Sequence, residues 1–259
     1  MREAAKMLLL VGLGLEEGCI SAKAISSLKK ADKILVERYT LPITDSYLSM
    51  IEKETGKKAE EITRQDLEDN IKKTLGQGVS KTLAILIPGD PLIATTHHTI
   101  IDVAKEMEIE TKIYHSSSIF TAAIGESGLD IYKFGPTTTI PFWTDKYKPT
   151  SFIGAIKKNL DNGEHTLVLL DIDAENQKTM SAGEALTILK KAEETRGSIF
   201  KKESRILILC DIGSDQQKIL YTSPSQKKAT EGLTGKKTSL IIPAKMNFAE
   251  EEHLKHISS

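Results

Sequence analysis

The chain has 259 residues and a mass of 28.5 kDa, with 35 basic against 36 acidic residues for a net charge of -1, 39% hydrophobic and 27% charged residues, and a mean hydropathy of -0.23. These figures exclude a disordered, collagen-like or membrane-embedded chain, and they supply no overall field to attract nucleic acid or an anionic membrane surface. At roughly 150 residues per domain, the length allows one large domain or two small ones.

Residues 1–6 (MREAAK) read as a frayed extension ahead of a first strand. The apolar run 7–15 is too short to span a bilayer, is interrupted by Gly12 and Gly14, and leads into Glu16 and Glu17 rather than a small-residue cleavage site. It reads as a buried strand. Ala22, Ile25 and Leu28 recur at helical spacing over 21–32, KILVE (33–37) is a second strand, and Thr63 with Asp66 makes a capping box. TLAILIP (82–88) and KIY (112–114) are further strands, separated by a helix over 99–107 that aligns Ile100, Val103 and Met107. The strands are continuously apolar rather than alternating, which suits coverage on both faces, and helical crossovers favour parallel pairing.

Residues 128–149 are turn-rich and concentrate Tyr132, Phe134, Phe142, Trp143 and Tyr147 in a chain with only 5% aromatics. Such density suggests either a buried seam, connecting two domains and contributing to a dimer or acceptor surface, or a locally packed satellite of the core. The rhythm then resumes with a helix at 151–160, a strand at 166–172, a helix at 182–194 and strands at 205–212, 218–222 and 238–243. Residues 216–237 are polar and basic enough for surface loops and a short helix. The expectation is an α/β fold of two α/β domains, 1–130 and 131–259. Cys19 and Cys210 cannot form a disulfide framework or a Cys-x-x-Cys site, which fits a reducing cytoplasm without structural zinc.

In open α/β sheets ligands bind beyond the carboxyl ends of the strands, where glycines and helix starts expose backbone donors. The first strand ends in Gly12-Leu13-Gly14-Leu15, which lacks the third glycine of a dinucleotide fingerprint and also reads as a plain turn. The third ends in PGDPLIATTHH (88–98), where Asp90 can cap the next helix or accept a ligand's hydroxyl or ammonium. His97 and His98 are adjacent, so on a helix they diverge and cannot share a metal. In HSSSI (115–119) the hydroxyls and amides are either ordinary caps or holders of a carboxylate or ribose. Strand ends also present Asp171 and Asp211. Walker A, Gly-x-Ser-x-Gly and His-Glu-x-x-His are absent, which removes the usual support for ATPase, hydrolase and zincin readings.

VGLGL (11–15), PGDPLIATTH (88–97), HSSSI (115–119), GESGLDIYKFGPTTTIPF (125–142) and LLDI (169–172) together resemble the tetrapyrrole methylase family of S-adenosylmethionine-dependent methyltransferases, in its diphthamide-biosynthesis branch. The resemblance runs through nearly the whole chain, and PGDPL-ATTH with GLDIYKFG points to that branch. It implies two α/β domains of the tetrapyrrole methylase type with the methyl donor in the cleft between them, a cytoplasmic homodimer, and no direct nucleic acid or membrane partner. The implied reaction methylates the amine of the aminocarboxypropyl-modified histidine of translation elongation factor 2. Carried over by position, the donor contacts fall on Leu15, Asp90, Ile93, Ser118, Ile119, Leu170, Ile212 and Thr238, the last two departing from the family's usual alanine and histidine.

Methyl transfer from a sulfonium is an in-line displacement that needs alignment and an unprotonated amine but no metal. Glu37, Tyr39 and His97 are candidate proton acceptors or orienters, with no catalytic residue fixed by the sequence. A neutral chain leaves recognition of the protein acceptor to local basic patches, such as Lys146 to Lys148 or Lys227-Lys228. Two other readings compete: a precorrin methyltransferase of the cobalamin pathway, and a non-catalytic nucleotide-binding protein with a flavodoxin-like sheet.

Overall fold

The computed structural model describes residues 7–257 except 42, 77–81, 174, 175, 177, 227–229, 234 and 235. The reading of 1–6 therefore lies outside the described residues, as do parts of 216–237 and the Lys227-Lys228 patch. The chain divides into two compact units between residues 119 and 120.

The first unit runs β1 (Met7–Gly12), α1 (Ala22–Leu28), β2 (Lys33–Glu37), α2 (Asp45–Thr55), β3 (Ala59–Ile62), α3 (Arg64–Glu68), α4 (Ile71–Gly76), β4 (Thr82–Ile87), α5 (His98–Glu106) and β5 (Glu110–Tyr114). Its five strands lie in the order β3-β2-β4-β1-β5 and every pair is parallel. Alternate residues face opposite layers: Leu8, Leu10, Leu83, Ile85 and Ile87 pack with α3, α4 and α5, while Leu9, Val11, Ile34, Val36 and Leu86 pack with α1 and α2. Covering both faces is what makes the strand sequences apolar without alternation. The capping box of Thr63 and Asp66 is present, with Thr63 Oγ1 accepting from the Asp66 amide at 3.2 Å.

The second unit contains α6 (Ile119–Ser127), a 3-10 turn (Ile131–Lys133), β6 (Thr138–Ile140), α7 (Ser151–Asp161), β7 (Thr166–Leu170), β8 (Ile172–Asp173), β9 (Lys178–Thr179), α8 (Ala182–Arg196), β10 (Ile206–Cys210), β11 (Lys218–Thr222), β12 (Thr238–Ile242) and α9 (Phe248–Ile257). Its five-stranded sheet, β11-β10-β12-β7-β6, is mixed: only β6 and β7 are parallel. No helix separates β10 from β11, so the two close as an antiparallel pair rather than through a crossover. Phe152, Ile153 and Ile156 of α7 and Ala185, Leu186 and Leu189 of α8 cover one face, with Phe142 and Trp143 packed at its margin. The Trp143 indole N–H donates to Pro149 O at 3.0 Å.

The division at 119/120 places α6 and residues 128–130 with the second unit, ahead of the 130/131 boundary read from the turn-rich sequence. The reason is local: the Asp130 amide donates to Glu250 Oε1 at 3.0 Å, and the His253 ring lies where a Cβ on Gly128 would stand. Within 128–149, Phe134, Phe142 and Trp143 turn inward while Tyr132 and Tyr147 are exposed.

Candidate functional site

The carboxyl ends of β1, β4 and β5 are tied together by the segments that follow them. Gly14 and Gly89 form a reciprocal backbone bridge, Gly14 N to Gly89 O at 3.0 Å and Gly89 N to Gly14 O at 2.9 Å. The glycines of the first loop are there for contact. A Cβ on Gly12 would stand 2.7 Å from Gly89 O, and one on Gly14 (φ +77) would stand 2.3 Å from Cys19 Cβ. Ser117 Oγ accepts from the Leu15 amide at 3.1 Å, and Ser116 Oγ donates to Cys19 O at 3.1 Å. These two serines therefore fasten the loop after β5 to the loop after β1.

Asp90 is the junction of this arrangement. Its buried carboxylate accepts from the Leu92 amide through Oδ1 at 3.0 Å, and from the Ser116 amide at 3.1 Å and His115 Nδ1 at 2.9 Å through Oδ2. It does not cap α5, whose N-cap residue is His97. Because a carboxylate only accepts, Nδ1 of His115 carries the proton, while the ring, two-thirds exposed, keeps Nε2 for other partners. The sequence reading missed this pairing; a histidine and an aspartate at the ends of two strands flanking the same central strand are the signal that could have found it.

Leu15 and Ile119 are half-buried, Ser118 is buried and Ile93 is exposed, all on the same strand-end segments. Tyr39, two residues after β2, is partly buried against the apolar layer under α3, α4 and α5. Burial and then the neighbouring Glu37 charge push its phenol well above the ordinary range, which makes it a poor proton donor.

In the second unit, Leu170 ends β7, Ile212 follows β10 and Thr238 starts β12. Antiparallel register sets Thr238 opposite Cys210 and Ser239 opposite Leu169, so the three residues gather at one end of the central strands, where β7 and β10 end and β12 begins. Asp211 (φ +48) accepts from Lys236 Nζ at 2.5 Å and from the Lys237 amide at 2.9 Å, fastening the segment that leads into Thr238.

A family model for Tetrapyrrole (Corrin/Porphyrin) Methylases matches residues 7–227. The chain belongs to the tetrapyrrole methylase family. Within it, the chain is 36% identical over 254 residues to the diphthine synthase of Methanothermobacter thermautotrophicus, covering 97% of this chain and 96% of that protein. It is likewise 36% identical to the diphthine synthase of Methanocaldococcus jannaschii, covering 97% and 98%. A crystal structure of a diphthine synthase superposes with a TM-score of 0.85 at 29% identity, covering 97% of this chain and 96% of that one.

The structure explains the GLDIYKFG segment by packing. Gly128 (φ +68) makes room for His253, Asp130 caps the 3-10 turn through the Tyr132 amide, and Phe134 meets His165 edge-on at 5.3 Å. Lys133 Nζ donates to Glu250 Oε2 at 2.6 Å and to Lys245 O at 2.9 Å. His165, fully buried, accepts the Ala244 amide on Nδ1 at 2.9 Å, which leaves Nε2–H to donate to Glu250 Oε1 at 2.9 Å. Burial holds the His165 pKa below its ordinary value against the opposing pull of Glu250. For Glu250, burial acts upward but is outweighed by the hydrogen bonds from Lys133, the Asn247 and Asp130 amides and His165, which bring it down to about 2. The segment is thus a clamp that fixes α9.

Methylases of this family use S-adenosylmethionine, and the first unit's residues fit such a donor. Gly89 (φ +69) has nothing within 4 Å of a built Cβ, so the turn that carries Asp90 is open on that side, and the exposed Ile93 offers apolar surface beside it. Among the described residues, no three or more His, Cys, Asp or Glu side chains come together as a metal site, and no helix is long and apolar enough to cross a membrane.

Proposed function

We propose that this methyltransferase is a diphthine synthase, transferring methyl groups from S-adenosylmethionine to the amine of the aminocarboxypropyl-modified histidine of translation elongation factor 2. The observation that carries the reading is the likeness to diphthine synthases along 97% of the chain, spread over both units rather than confined to the donor loops. The donor supplies an electrophilic methyl on a sulfonium. Leu15, Asp90, Ile93, Ser118 and Ile119 on the first unit's strand ends bind it.

The rest of the chemistry falls to side chains already placed. The apolar groups of Leu15, Ile93 and Ile119 disfavour an ammonium over a free amine and so keep the acceptor nucleophilic. The Asp90 carboxylate spends its oxygens on the turn and on His115, so its contribution is to fix the turn's backbone. His115, oriented through Nδ1, presents Nε2 to take the proton that the amine must lose. The enzyme acts as a homodimer in the cytoplasm, with Tyr132 and Tyr147 among the exposed aromatics available to a partner.

The test is mass spectrometry of elongation factor 2 bearing the aminocarboxypropyl group after incubation with enzyme and donor, with EDTA present in a parallel reaction. Methylated histidine in both reactions is the expected result. Methylation of free precorrins with no change in the elongation factor would replace this reading by the cobalamin-pathway one.

A further inference from the structure

Glu37 ends β2, and its side chain has no solvent exposure. Its Oε2 lies 3.1 Å from Nε2 of His97, off the line of a hydrogen bond, and among the described residues neither carboxyl oxygen has a hydrogen-bond partner. His97 is also buried. Its Nδ1 stands 3.1 Å from Pro91 O, and because a carbonyl only accepts, Nδ1 carries the proton and donates. The imidazole therefore sits between Glu37 at the end of β2 and the carbonyl next to Asp90 on the segment following β4.

That segment needs ties. It holds two left-handed residues, Gly89 (φ +69) and Ala94 (φ +56), the second of which has a Cβ and is strained. Its other fastenings, the Gly14–Gly89 bridge and the Asp90 contacts, lie toward the β1 and β5 side. Glu37, by contrast, is kept at a cost. A buried carboxyl with one poorly aligned neighbour destabilises a fold, and the surrounding strand residues Ile34, Leu35 and Val36 show that an apolar side chain suits the sheet. Nor can Glu37 or His97 meet an acceptor amine directly, since both are buried and both ring nitrogens of His97 already face protein atoms.

We infer that Glu37 and His97 are positioning residues, which orient the Pro91 carbonyl and so hold the Asp90 turn in its donor-binding conformation at the expense of stability. The inference rests on the proposed use of that turn for S-adenosylmethionine, and its test has one readout that does not.

The experiment compares the parent with Glu37→Leu/His97→Leu, which removes the pair while keeping apolar volume, and with Glu37→Leu/His97→Asn, whose amide can donate to Pro91 O from the place of Nδ1. The measurements are the thermal midpoint, the calorimetric Kd for S-adenosylmethionine, and hydrogen exchange of the Leu92 amide without ligand. The double leucine variant is expected to melt at or above the parent temperature, to bind about three- to tenfold more weakly, as the loss of one hydrogen bond implies, and to exchange Leu92 faster. The asparagine variant is expected to recover both affinity and protection. Parental affinity and parental exchange in the double leucine variant would overturn the inference. So would its failure to fold, or a lowered midpoint that asparagine does not restore, since either makes the pair structural. A parent protein that does not bind S-adenosylmethionine refutes the proposed function instead, and Leu92 exchange then decides the positioning role alone.

Discussion

Each unit buries a carboxylate beside a histidine that is itself buried, Glu37 with His97 and Glu250 with His165, and these two carboxylates are satisfied very differently. Glu250 receives hydrogen bonds from two backbone amides, a lysine and a histidine, so every element of the clamp converges on it. Among the described residues, Glu37 has only the misaligned His97. A saturated carboxylate holds structure together, whereas an unsaturated one at the end of a parallel strand is tolerated only where something other than stability depends on it.

Truncating the saturated group gives the largest expected loss. Glu250→Ala leaves Lys133 and His165 without their shared acceptor and should cost about 3–5 kcal/mol, measured by denaturant unfolding. Acid should do the same gradually. The His165 pKa is lowered on folding, so its contribution is complete above the ordinary histidine value and declines as pH falls through about 6.5. The Glu250 contribution is complete above the ordinary carboxylate value and is lost as pH falls toward about 2. Stability should therefore fall in two stages on acidification, and His165→Gln should remove the first; a single stage in the parent would break the contrast between the units.

Crowding the first unit's loops comes next. Gly12→Ala drives a methyl against Gly89 O and should cost about 1–3 kcal/mol, with a further loss of donor affinity if the bridge opens. Asp90→Ala removes one acceptor of three N–H groups and should weaken donor binding by about ten- to a hundredfold, read by calorimetry on a variant shown to be folded. The smallest effect belongs to the surface: charge reversal at the exposed Lys146 and Lys148 should raise KM for the proposed acceptor, elongation factor 2, while leaving donor affinity unchanged.

The first sheet was legible because both its faces are covered, so β1, β2 and β4 show as unbroken apolar runs. α2 was not, although Thr44 caps its start and Gly56 (φ +72) its end, because its apolar face is thin and only Tyr47, Ile51 and Thr55 are buried. β6 has three residues and draws its strand character from pairing with β7, which no local pattern reveals. In the site, the glycines and Asp90 stood out by spacing, but the partners of Asp90 could not, since His115 and Ser116 meet it only when β4 and β5 flank β1. Glu37 and His97 were visible as titratable groups. Their burial, which decides what they do, was not.

The chain has a single tryptophan, Trp143, half-buried against the core of the second unit with its indole N–H on Pro149. Its emission is therefore an optical reporter of one unit only, whereas far-ultraviolet circular dichroism sums the helices of both. Superimposable denaturation curves from the two probes would mean that the units unfold as one cooperative body; separated curves would mean that each melts on its own, with the tryptophan naming which goes first.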